Sequence, residues 1–152
     1  QLNRFGVEQV ALVGSGLGAA VAIAAAGRSP AAVSHLVLTD VLPRTPKLAG
    51  ALQRLAVRAM PAAKLAQVGL DRARMLALMK TAAGIDVRPW LTEVTARTLF
   101  VGGSANVPGV TAARELAEAI AGARVELIGK AGLSVPTDAP QEFNRLLYDF
   151  LG

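Results

Sequence analysis

Few side chains in this sequence are equipped for chemistry, and their placement narrows the choice further. There is no cysteine and a single histidine, His35, which removes thiolate nucleophiles, thiolate zinc sites and disulfides. The carboxylates are scattered without ligand spacing, so neither a metal nor another cofactor is expected. What remains is a set of serines in glycine-rich stretches and one aspartate. These are Ser15 in Gly14-Ser-Gly-Leu-Gly18, Ser104 in Gly102-Gly-Ser-Ala-Asn106, Ser134 in Gly132-Leu-Ser-Val-Pro136, and Asp40 directly after an apolar run. A serine attacks only when a base takes its proton. No histidine or lysine partners Ser15, so all three serines read as turn-forming residues, and Asp40 reads as a strand-end hydrogen-bonding group placed to face a cleft.

The elements that must position these groups alternate between two periodicities. Val10–Val13, His35–Thr39, Thr98–Val101 and Val125–Ile128 are short apolar runs of the kind buried strands show. Between them lie helical stretches. Leu17–Ala26 ends at Gly27, which suits a left-handed cap. Thr111 can cap a helix running to Gly122, and Asp138 with Gln141 resembles a capping box for the last helix, which carries Phe143, Leu146, Leu147, Phe150 and Leu151. From Val41 to Thr92 the pattern turns helical and basic, with Leu48, Leu52, Leu55 and Ala59 on one face and Leu76, Met79 and Ala83 repeating that spacing. The order β-α-β, helical insertion, β-α-β-α predicts an α/β fold. Its parallel sheet has about four strands with flanking helices, and residues 41–92 are inserted as a helical lid in a single domain spanning 1–152.

The strand ends carry a resemblance. Val13-Gly-Ser-Gly-Leu-Gly-Ala19 follows a strand and opens a helix. Val101-Gly-Gly-Ser-Ala-Asn-Val107 closes a later strand, and Gly129-Lys-Ala-Gly-Leu-Ser-Val-Pro136 follows the last one. In order and spacing these junctions resemble the α/β-hydrolase family from its nucleophile elbow to its final helix. The resemblance implies a Ser–acid–His triad at three positions, and this chain departs at each. In G-x-S-x-G the central residue is the nucleophile, and here it is Gly16. The acid position falls on Asn106 and the histidine position on Leu133. A glycine cannot attack, an amide cannot stabilise an imidazolium as a carboxylate does, and a leucine cannot move protons. No catalytic residue is therefore expected. The reading is a noncatalytic hydrolase-like domain whose strand-end loops bind a small apolar or acyl ligand, lined by candidates Ser15, Leu17, Asp40, Ser104, Val107 and Ser134, or bind a partner chain.

Two other readings remain open. The chain could be a subunit of a hydrolase or lyase completed by another chain, with Asp40 and Ser15 as local groups. It could also bind a dinucleotide, since Gly14-x-Gly16-x-x-Ala19 matches a phosphate-loop fingerprint and Asp40 follows the next strand. The hydrolase resemblance implies further strands before Val10, so the first strand should present an open apolar edge. A complementary N-terminal half chain or a second copy of this chain is the expected partner. The net charge of +5 concentrates in the insertion, where nine Lys and Arg oppose Asp71 and Asp86. Nucleic acid is not expected, because aromatics for stacking are scarce. No stretch is apolar enough to span a bilayer, so no membrane partner is expected and the location should be cytoplasmic.

Overall fold

The computed structural model describes residues 6–41, 55, 57–61, 71–83 and 85–152. The chain divides into two compact units, Gln1–Pro43 with Val87–Gly152, and Arg44–Asp86.

The first unit is built on strands β1 (Val10–Ser15), β2 (Val33–Thr39), β3 (Arg97–Gly103) and β4 (Arg124–Ile128). They form one parallel sheet in chain order, β1-β2-β3-β4. Helix α1 (Leu17–Arg28) links the first two strands and α4 (Val107–Glu118) links the last two. The short α3 (Arg88–Leu91) precedes β3, and α5 (Val135–Asp138) and α6 (Pro140–Leu151) follow β4. This is the α/β architecture expected from the alternating periodicities.

Period-two side-chain alternation divides the core between the two faces of the sheet. On one face Val37, Leu99 and Val101 meet Ile128, Ala131 and Val135 and the aromatic rings of Phe143 and Phe150 from α6. On the other, the fully buried Leu36, Leu38 and Phe100 lie under α1 and α4, whose small residues Ala19, Ala26, Ala112 and Ala113 are also buried. Each large side chain buried in this way contributes about 1.5–3 kcal/mol, and the alanines let the helices lie close enough for contact. The only buried polar side chains among the described residues are Thr39 and Thr98. Thr98 Oγ1 donates to the Ala96 carbonyl at 2.9 Å.

Several local expectations need correction. All four strands run one to three residues longer than their apolar runs: β1 and β3 pair on through Gly14, Ser15, Gly102 and Gly103, β2 starts at Val33 and β4 at Arg124. Gly27 is not a left-handed cap: α1 continues through it to Arg28. A Cβ there would lie 2.7 Å from both the Cβ and the carbonyl of Trp90, so glycine is required for α3 to seat on α1. Thr111 lies inside α4 and donates to the Val107 carbonyl one turn back at 3.1 Å. Asp138 does not cap α6, whose N-cap is Ala139. Its carboxylate instead turns back to the preceding loop.

In the second unit, α2 (Arg72–Ala83) carries Leu76, Met79 and Ala83 as the spacing predicts. Asp71 Oδ1 accepts the Arg74 backbone N–H at 2.8 Å, closing an otherwise open helix start. The Arg72 guanidinium donates to the Met60 carbonyl at 2.6 Å. Leu55 and residues 57–59 are helical, whereas Leu48 and Leu52 lie outside the described residues.

Candidate functional site

The C-terminal ends of the strands bring the three singled-out junctions together on one edge of the sheet. At the first, β1 turns into α1 through Gly16, at φ 55° and ψ −115°. That backbone region strains any residue with a side chain, at a cost of about 1–3 kcal/mol. An ideal Cβ on Gly16 would nonetheless meet nothing within 4 Å, so a side chain here would project into open space. The turn is held by the Gly16 N–H donating to the Thr39 carbonyl at 2.9 Å. Gly14 makes the turn tight, since its Cβ would stand 2.6 Å from the Gly18 carbonyl and 2.7 Å from Ala19 N.

Ser15 and Asp40 are brought together although they are distant in sequence. Ser15 pairs in register with Thr39, and its Oγ donates to Asp40 Oδ2 at 3.1 Å. Thr39 Oγ1 donates to the same oxygen at 2.9 Å. Asp40 itself adopts φ 55°, an uncommon conformation for a residue other than glycine, though one that aspartate tolerates better than most. His35 cannot act as a base for Ser15. It pairs in register with Ala11, four residues down the strand and therefore about 13 Å away. There it lies edge-on to the Phe150 ring, with centroids 5.6 Å apart.

At the second junction Asn106 is the N-cap of α4, its Oδ1 accepting the Gly109 N–H at 3.2 Å. The capping role assigned by sequence to Thr111 belongs to this amide, because Val107 and Pro108 already start the helix. Ser104 is bound into the neighbouring loop: its Oγ accepts the Lys130 N–H at 3.1 Å, and its N–H donates to the Ile128 carbonyl. The third junction is pinned by Asp138, whose Oδ2 accepts the N–H of Gly132 at 2.8 Å and of Ser134 at 3.4 Å. Between those two anchors Leu133 is 78% exposed. Ser134 Oγ donates to Thr137 Oγ1.

A cleft opens between β2, β3 and the start of α4, lined by Leu38, Asp40, Val41, Phe100, Asn106 and Gly109 among others. Its volume is about 10 Å³, the room of a single water. Asp40 and Asn106 are the sequence candidates that reach it. Ser15, Leu17, Ser104, Val107, Ser134 and Leu133 do not line it, and Val107 and Leu133 stand largely in solvent. The lining comes from the ends of β2 and β3, the residues that follow β2, and the first turn of α4. Val41, Phe100 and Gly109 went unrecognised as lining residues; the alignment of β2 with β3 is the signal that would have exposed them. Among the described residues no cluster of His, Cys, Asp and Glu could hold a metal ion, and no helix is long and apolar enough to cross a membrane.

No protein-family model matches the sequence, and no curated protein shows significant similarity to it. Solved structures do match. A hydrolase from Pseudomonas aeruginosa superposes with a TM-score of 0.82 at 19% identity, over 99% of this chain and 68% of its own. An enol-lactonase from Burkholderia xenovorans gives 0.81 at 17% identity, with 99% and 68% coverage. A bromoperoxidase from Bacillus anthracis gives 0.83 at 16% identity, with 99% and 70% coverage. With this architecture, this sheet order and these neighbours, the chain has the α/β-hydrolase fold. About a third of each neighbour's length has no counterpart in it.

Proposed function

We propose that this chain is a hydrolase-fold domain that performs no triad hydrolysis and acts as a binding unit, with a partner chain as its principal ligand. The observation that carries this reading is Gly16. It sits at the strand–helix turn in a backbone conformation that strains residues with a side chain, open space lies where a nucleophile would project, and it has no side chain. Two further features support it. Asn106, at the acid position of the resemblance, is engaged as a helix cap, and Leu133, at the histidine position, is exposed and apolar. The partner is either a complementary N-terminal half of the fold or a second copy, pairing along β1. A chain that binds in this way needs no cofactor.

Treatment with a fluorophosphonate probe and a p-nitrophenyl ester tests the catalytic half of the reading. No labelling and no turnover above the Ser15→Ala variant are expected. Labelling at Ser15, or turnover lost in Ser15→Ala, would overturn it. Native mass spectrometry tests the other half, since a lone monomer with β1 open to solvent contradicts a partner.

The Ser15–Asp40 hydrogen bond favours one second reading, in which the scaffold does proton-transfer chemistry with groups from another chain. A carboxylate-like limb in a pH–rate profile that disappears in Asp40→Asn would support it. The dinucleotide reading is weakened by the sheet order. Its ligand occupies the crevice where strand order reverses, and the described strands run 1-2-3-4 without reversal.

A further inference from the structure

The end of the sheet away from the candidate site holds the single histidine of the chain in a cluster that the strand-end junctions do not use. His35 and Arg97 stand in register on β2 and β3, and Arg97 Nη1 lies 3.3 Å from His35 Nε2. Both side chains meet the buried ring of Phe150 in the last turn of α6. The guanidinium carbon is 5.5 Å from its centroid, and the imidazole is perpendicular to it with centroids 5.6 Å apart. On its other side, His35 Nδ1 lies 3.1 Å from Ser34 Oγ, which donates to the Val10 carbonyl at 3.3 Å.

A guanidinium has donors and no acceptor. His35 Nε2 must therefore accept, which puts the ring proton on Nδ1, directed at Ser34 Oγ. The hydrogen bonds then run one way, from Arg97 through His35 and Ser34 to Val10, and join β3, β2 and β1. An imidazolium has no acceptor left, so protonation at Nε2 sets two donors and two positive charges against each other. The surroundings do not offset this. From β1, Ala11 in register with His35 brings no charge. From β4, Arg124 and Glu126 pair with each other. On α6, Glu142, Arg145, Tyr148 and Asp149 make no hydrogen bond or ion pair to His35 or Arg97.

We propose that this cluster is a pH-sensitive latch, in which neutral His35 holds Arg97 and the Phe150 end of α6 on the sheet and protonation loosens them. The unfolded chain then takes up the proton more readily than the folded one. Stability is full at pH 8 and is lost as pH falls through the imidazole range. The inference is independent of the proposed function.

Urea denaturation of the whole chain at pH 8 and pH 5 reads the effect. Arg97 is exposed and His35 half-buried, so a modest change is expected. Over this range the unfolding constant of the parent should rise about fivefold more than that of His35→Gln or Arg97→Gln, the size expected for two unit charges about 4 Å apart in water. Nitrogen NMR of the imidazole in the parent at pH 8 should place the proton on Nδ1. The same pH dependence in the parent and either variant, or a proton on Nε2 at pH 8, would each overturn the latch.

Discussion

The two edges of the sheet are built on opposite principles. β4 alternates charge with apolar residues: Arg124 and Glu126 flank Val125 and form an exposed ion pair at 3.3 Å. An edge strand with outward charges resists pairing with another chain. β1 reads Val-Ala-Leu-Val-Gly-Ser and has no charge at all. Its Val13 is 50% exposed on one face. On the other, Val10 and Leu12 join Val21, Ala24 and Arg28 around a groove of about 520 Å³. β1 therefore has the composition of the central strand β2 in the position of an edge, whereas β4 has the composition of a true edge. The comparison teaches that apolar composition alone does not bury a strand; burial needs a neighbour on each side.

The largest effect should appear where β1 joins α1. Gly14→Val pushes side-chain atoms into the Gly18 and Ala19 backbone and should cost about 3 kcal/mol or more. Gly129→Ala, in open space after β4, should stay within about 0.5 kcal/mol of the parent. Urea denaturation of both variants checks the contrast, and equal midpoints would break it.

Next in size is Gly16→Ala. Its Cβ clashes with nothing, so any loss is backbone strain alone, about 1–3 kcal/mol by thermal or chemical denaturation. A neutral result would mean that the elbow relaxes.

The edges themselves can then be compared by sedimentation velocity. In the association proposed above, Val13→Lys should weaken binding about tenfold, the equivalent of about 1.4 kcal/mol, while Leu127→Lys on β4 should leave it unchanged. The same loss from both would remove the distinction between the edges. The smallest effect is expected for the Arg124–Glu126 pair, whose side chains are 62% and 41% exposed. A double-mutant cycle should give coupling of about 0.2–1 kcal/mol, falling with salt.

The element order was legible in the residues because period two and period 3.6 leave different marks on an apolar sequence. Thus β2 and β3 were visible as unbroken runs, and α6 through its Phe143–Leu151 spacing. Other assignments failed for a common reason. Gly27 looked like a cap because glycine suits caps, yet Trp90, 63 residues later, determines its role through contact. Thr111 and Asp138 had the residue types of caps but lost those positions to Asn106 and Ala139, since side-chain oxygens bond whichever N–H the tertiary fold presents. Within the candidate site, the glycine cluster and the positions Gly16, Asn106 and Leu133 were readable from spacing. The lining of the cleft was not, because it depends on which residues of β2 and β3 stand side by side.

By itself, then, the sequence determined the fold class, the order of its elements, the absence of a histidine or thiol at the strand ends, and the basic character of residues 44–86. Local periodicity and residue chemistry carry that information without reference to distant contacts. Only the tertiary structure decided that Ser15 donates to Asp40, that His35 is four residues down the strand from that pair, and that β4 carries its charges outward while β1, among the described strands, pairs with β2 alone. Each of these depends on strand register and packing, which are set by contacts between residues far apart in the chain.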